Sequence, residues 1–164
     1  MKHPYIRNSV GSMEFGGVLL NKFLNRGNER RQERLTTDIF QLATGVLFQN
    51  PIQMFGLAPN NLYDVPGFEL DFLRKLPTTW DETVHIDGFP GKYSVIARRN
   101  GDAWYIAGVN AEETPKQIQL TLPMLACRNI TVYNDDESKQ PALNQTKIAE
   151  NGDCTVVIQP KREL

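Results

Sequence analysis

The stretch FLRKLPTTWDET, residues 72–83, divides the chain, because the period of its apolar residues changes at Pro77. Upstream, apolar side chains recur with helical spacing; downstream, they alternate as in strands. Immediately before the proline, GFELDFLRKLP sets Phe68, Phe72, Leu73 and Leu76 along one side of a short helix. Further back, Ile39, Leu42, Ala43, Val46 and Leu47 recur on one helical face, and Thr36 or Thr37 stands where an N-cap oxygen is needed. The spacing predicts a helix over 37–47. Asn50 and Pro51 stop it, since the residue before a proline is pushed out of the helical region. IQMFGL, residues 52–57, then reads as a short buried strand. With the mixed segment 5–10 and a long polar loop over 21–35, the first half has the strand-helix rhythm of a parallel α/β unit.

Beyond Pro77, short alternating segments are predicted at 80–86, 93–99, 103–109, 117–122, 129–133, 146–149 and 154–159. DGFPG, RNGD, NAEETP, NDDESKQP and ENGD separate them, and these are turn signals because Gly and Asn accept positive φ while Asp caps its own turn. The spacing predicts an antiparallel β-sandwich or small barrel, with Asn100 and Gly101 as a type I′ hairpin turn. The expected fold class is α+β, with a break between 1–76 and 77–164. Two strands and one intervening helix cannot close a barrel, so the first part reads as the end of something larger.

Composition excludes several functions. A chain of 164 residues with a net charge of −1 has no field that would favour nucleic acid or an anionic surface. It has no apolar run long enough to span a bilayer, and MKHPYIRNSV lacks the features of a signal peptide; an exported intact protein would carry its signal outside this chain. His3 and His85 are isolated, Asp135, Asp136 and Glu137 lack EF-hand spacing, and no metal site is expected. Cys127 and Cys154 read as two buried free thiols. The segment KFLNRGNERRQER carries five basic residues against two acidic ones, with Phe23 as its one aromatic, and reads as a solvated mobile loop. Alternation puts Trp104 and Tyr105 on opposite faces of one strand, which argues against a shared sugar-stacking platform.

The succession HPYIRNSVGSMEFGG, TTDIFQLATGVLFQNPIQMF, FLRKLPTTWDETVHIDGFPGKYSVIARRNGDAWYIAGVNAE and ITVYNDD resembles the C-terminal quarter of a glycoside hydrolase family 97 enzyme. That family includes α-glucosidases and α-galactosidases of gut Bacteroidetes. The resemblance implies that 1–76 are the last strands and helices of a catalytic (β/α)8 barrel, and that 77–164 are a β-sandwich domain packed on it. It also implies α-linked oligo- or polysaccharide substrates, a periplasmic or secreted intact enzyme, and calcium held there by carboxylates outside this chain. The catalytic carboxylates are expected upstream of Met1, so no catalytic residue is assigned here. GSMEFGG resembles GPMDYTPG at the carboxyl end of a barrel strand, which makes Glu14, with Arg7 nearby, the candidate sugar contact. Trp80, Asp81 and Glu82 are expected at the joint between the two parts, with Trp80 and Glu82 on one strand face and Asp81 on the other. An incomplete barrel should expose the apolar faces of the 37–47 helix and the 52–57 strand, and so promote self-association. The alternative is a stand-alone noncatalytic carbohydrate-binding or structural β module.

Overall fold

The computed structural model describes residues 2–160. Its first part is built on two short parallel strands, β1 (Phe15–Gly17) and β2 (Gln53–Phe55), in register Phe15 to Gln53 and Gly17 to Phe55. Helix α1 (His3–Ile6) precedes β1 and takes in the start of the mixed segment 5–10. Helix α2 (Asp38–Leu47) links the strands and opens as expected: the Thr37 hydroxyl accepts from the Phe40 amide at 3.1 Å, and Asp38 adds a carboxylate to the first turn. The one-turn α3 (Asn61–Asp64) and then α4 (Gly67–Lys75) follow β2.

The second part is antiparallel throughout. Strands β3 (Glu82–Phe89), β4 (Tyr93–Asn100) and β5 (Ala103–Asn110) form one sheet; β6 (Lys116–Thr121) pairs with β9 (Asp153–Ile158), and β7 (Asn129–Asp135) with β8 (Pro141–Lys147). Strand β8 lies earlier than the expected 146–149. The β4 to β5 hairpin also differs in its turn. Asn100 pairs with Ala103, so Gly101 and Asp102 are the central residues, and Gly101 alone has positive φ, at 57°. A type I′ turn needs positive φ at both positions; the single one here is the type II′ pattern, which favours glycine first.

Strand β4 is buried from Ser94 to Arg98, on both faces, because the central sheet is a middle layer. On one face Val95, together with Trp104 and Ile106 of β5, packs against Ile118 and Leu120 of β6 and Val156 and Ile158 of β9. On the other, Ile96 and Val109 meet Leu47 and Phe48, while Ala107 and Tyr105 meet Leu42 and Val46 of α2 and Leu70, Leu73 and Leu76 of α4. The apolar face of α2 is therefore covered, contrary to expectation: the central sheet supplies the partner that an incomplete barrel would have lacked. Gly45 lets α4 approach, since a Cβ there would stand 3.0 Å from Leu76 Cδ2. The 52–57 segment around β2 does meet the expectation of exposure, with Ile52 54% and Met54 58% accessible.

Candidate functional site

Sites on parallel α/β units form at the carboxyl ends of the strands. Beyond β1, that end leads into residues 18–37; beyond β2, into residues 56–66. It opens on a backbone outlier. Val18, fully buried, has φ +57°, a region that β-branched residues rarely enter.

The basic segment after it is largely solvent-exposed, as expected, and is folded back on itself by hydrogen bonds. The Arg34 amide donates to the Lys22 carbonyl at 2.8 Å and the Leu24 amide to Gln32 at 2.9 Å, with Phe23 bridged to Glu33. Asn28 Oδ1 accepts from the Phe23 amide, and the Asn25 side chain binds both the amide and the carbonyl of Glu29. Arg26, Arg30 and Arg31 remain exposed at the tip.

Asn21 joins the two loops. Its Oδ1 accepts from Asn60 Nδ2 at 2.8 Å and from Asn61 Nδ2 at 2.7 Å, while its Nδ2 donates to the Asn25 carbonyl. Arg34 continues the network inward: Nε donates to the Asn21 carbonyl at 3.1 Å, and Nη2 pairs with Asp38 at the start of α2. One residue earlier, the Thr37 hydroxyl donates to Asp135 Oδ2 at 2.7 Å, at the end of β7. Glu69 of α4 is fully buried beside these groups, and neither of its oxygens has a hydrogen-bond partner. Burial pushes its carboxyl up to about 8; Asp38 and Asp135 add to the rise, and Arg34 opposes it. Burial likewise raises Asp135 to about 6, against the lowering effect of the Thr37 hydrogen bond.

Glu14 and Arg7 stand apart from this end. Glu14 precedes β1, so it lies at the strand's amino end and not at the carboxyl end expected for it. It is exposed, and so is Arg7, for which no ion pair is present among the described residues.

The TTWDET segment lies at the contact of the two parts. The half-buried Trp80 meets Tyr105 edge-on with 5.3 Å between ring centroids, and the Arg98 guanidinium lies 5.6 Å from its ring centroid. Asp81 and Glu82 do not diverge as alternation predicts. Asp81 lies just outside β3, in the approach to it, and both carboxylates reach Arg99, at 3.4 and 3.3 Å. Asp81 Oδ2 also accepts from the Gly101 amide at 2.8 Å, closing the β4 to β5 turn. Trp104 and Tyr105 do face opposite ways, each half-buried in a different apolar cluster. Both cysteines are free, but Cys127 is exposed instead of buried.

Among the described residues no group of three or more His, Cys, Asp or Glu side chains could hold a metal ion. Asp38, Glu69 and Asp135 do not converge on one point, and Arg34 already occupies Asp38, so the arrangement does not fit calcium. No helix among the described residues is long and apolar enough to cross a membrane.

The profile described as glycosyl-hydrolase 97 C-terminal, oligomerisation, matches residues 79–160, half of the chain. The chain belongs to glycoside hydrolase family 97. Within the family, it is 35% identical over 109 residues to a retaining alpha-galactosidase of Bacteroides thetaiotaomicron, an alignment covering 65% of this chain and 16% of that protein. It is 34% identical over 110 residues to a probable retaining alpha-galactosidase of Streptomyces bingchenggensis, covering 66% and 16%. Among solved structures, a beta-arabinopyranosidase superposes with a TM-score of 0.95 at 55% identity, over 98% of this chain and 26% of that one. A family 97 enzyme from Pseudoalteromonas sp. strain K8, in complex with panose, superposes with a TM-score of 0.80 at 23% identity, a likeness of fold. This family 97 chain thus spans about a quarter of the length of the solved structures it matches, and corresponds to their C-terminal part.

Sequence reasoning missed Arg34, Asn21 and Glu69. Two of them left a signal: Arg34 stands four residues before Asp38, and Glu69 shares a helical face with the buried Leu73 and Leu76. Asn21, Asn60 and Asn61 meet only through tertiary structure, and nothing in their spacing marks them.

Proposed function

We propose that this chain is the C-terminal part of a glycoside hydrolase that cleaves α-galactoside-type and β-arabinopyranoside linkages. Residues 1–76 act as the closing strands and helices of its (β/α)8 barrel, and 77–164 as the β-sandwich domain that braces them. The observation that carries this reading is the 55% identity to a beta-arabinopyranosidase across 98% of the chain, joined by the identity to retaining alpha-galactosidases. Chemistry makes the two substrates compatible: an α-D-galactopyranoside and a β-L-arabinopyranoside share their ring configuration and differ by the hydroxymethyl group on C5. One site can therefore take both. An α-glucosidase, with the opposite configuration at C4, is the less favoured member of the same family.

Retaining cleavage needs two carboxyl groups about 5 Å apart across the scissile bond. The carboxylates gathered in this chain are buried at a helix junction or tied to Arg99, which supports placing the catalytic pair, and any calcium, in the preceding part of the intact enzyme. The contribution of this chain is to close the barrel, to shape two loops at its catalytic face, and to hold both against the β domain. The intact enzyme fits a periplasmic or secreted location.

The test is hydrolysis by the full-length protein of p-nitrophenyl α-galactoside, β-L-arabinopyranoside and α-glucoside. Turnover of the first two well above the third is expected; a clear preference for the glucoside would overturn the assignment. Residues 1–164 alone should turn over none of them.

A further inference from the structure

Among the described residues strand β7 has β8 as its backbone partner, and no ladder joins it to β5, whose outer edge is bridged at Asn110 to Pro160. A mostly apolar cleft of about 520 Å³ lies between α2, β5, β7 and β9, with Thr37 and Asp135 in its wall. Side chains hold the hairpin across this gap. Tyr133 meets Phe72 with 5.0 Å between ring centroids, Asn134 Nδ2 donates to the Val157 carbonyl at 3.0 Å, and Thr37 donates to Asp135. Beside the last of these contacts lies the unpartnered Glu69.

We propose that Glu69, Asp135, Asp38 and Arg34 form a proton-held latch, closed while Glu69 is protonated, whose ionisation loosens β7 from α2 and α4 and, through Arg34, the loops joined at Asn21. The charged groups facing Glu69 are Asp38 and Arg34 from the α2 side and Asp135 from β7, while Asp136 of the following turn faces Asp135. With both buried acids protonated, Arg34 and Asp38 balance and the site is neutral. Ionising both leaves three carboxylates against one guanidinium in a largely buried site, which is unfavourable. Opening the cleft admits water and relieves that repulsion. Arg34 is then drawn from the Asn21 carbonyl towards the new charge, and the tie between the two loops weakens. A consequence for catalysis rests on reading β1 and β2 as barrel strands, as proposed above.

The experiment compares full-length wild type with Glu69→Gln by limited trypsin digestion at Arg26, Arg30 and Arg31, at about pH 6 and about pH 8.5. Comparing the two proteins at one pH removes the protease's own pH dependence. Wild type should be cut several-fold faster than the variant at the higher pH and at the same rate at the lower; equal rates at both would overturn the latch. Asp135→Asn supplies the second arm, since removing one of the repelling charges weakens the drive to open and should move the onset of loop cleavage to higher pH relative to Asp135→Glu; an unmoved onset would also overturn it. These readouts do not use hydrolysis, so a protein inactive on all three glycosides sinks the functional reading and leaves the latch tested. In an active enzyme, the rise in KM towards pH 8.5 should vanish in Glu69→Gln; a KM profile unchanged by that substitution refutes the coupling to the loops.

Discussion

The Arg98 guanidinium donates to the Phe48 carbonyl oxygen at 3.0 Å, so a strand of the central sheet caps the helix packed on it. A second nitrogen reaches the Leu47 carbonyl at 3.4 Å. These carbonyls belong to the end of α2, where unsatisfied acceptors and the negative end of the helix dipole favour a cation. Arg98 is 3% exposed, with no ion pair to a carboxylate among the described residues, and burial lowers its pKa to about 10. Carbonyl dipoles and the Trp80 ring face thus hold the charge. This contact fixes α2 to β4, and through them the two parts of the chain.

Arg98→Met keeps much of the side chain's bulk and leaves the carbonyls without their donor. Hydrogen bonds to a charged group contribute about 1.5–3 kcal/mol, so a loss of stability of that order is expected in urea unfolding. Arg98→Lys should recover part of it, since the ammonium can reach one carbonyl but lacks the fork that meets two. A loss no larger for Met than for Lys would show that charge at the helix end contributes nothing.

The joint makes a second demand, on Trp80. Its ring contacts Tyr105 and Arg98 and packs on the cluster of Leu73, Leu76 and Ala107. Trp80→Ala should cost about 2 kcal/mol, below the range for large-to-small substitutions at fully buried aromatics because Trp80 is half-buried. Asp81→Ala should cost less, about 1 kcal/mol, because Asp81 is half exposed and its main contribution is the hydrogen bond that closes the turn at Gly101. Chemical unfolding of the two variants under one condition checks the order.

How far these features could be read in advance depends on how local their causes are. Helix α2 and its Thr37 cap are set by spacing and one hydroxyl, and the chain reads them directly. The hairpin strands are equally local, but the turn type is not: the register that pairs Asn100 with Ala103 moves the turn on by one residue. The continuous run Ser94 to Arg98 hid a layer buried on both faces, since a strand with two covered sides loses its alternation. Glu14 was misplaced because family likeness located the motif without locating the strand end. The Asn21, Arg34 and Asp135 network joins residues about a hundred positions apart, and periodicity carries no information at that range.

Stability should fall as pH rises from about 5 to about 8.5. Glu69 is raised from 4.5 to about 8 and Asp135 from 3.8 to about 6, so the folded chain keeps protons that the unfolded chain has released. For a raised carboxyl, the contribution is full below the unfolded value and is lost as pH rises through the folded one. The Asp135 share is lost first and the Glu69 share last. Urea midpoints measured across that range should decline, and Glu69→Gln should flatten the upper part of the decline while exceeding wild type at about pH 8.5. A midpoint that climbs with pH would contradict the burial of both acids.

The exposed side of the parallel strand pair leads to the last prediction. Met54 lies on β2, with Ile52, Leu19 and Leu57 just beyond the strand ends, and all four are at least 39% accessible. An apolar patch on a short parallel pair is the surface that neighbouring barrel strands would cover, and without them it should drive association. Residues 1–164 expressed alone should therefore scatter light as a species larger than a monomer. Ile52→Glu with Met54→Lys should lower that mass without shifting the circular dichroism of the β domain, because neither side chain contributes to the central sheet's core. The family's C-terminal region is itself described as an oligomerisation domain, so two surfaces compete to explain any association. The double substitution separates them: an unchanged mass assigns assembly to the β domain, and a monomer assigns it to the uncovered strands.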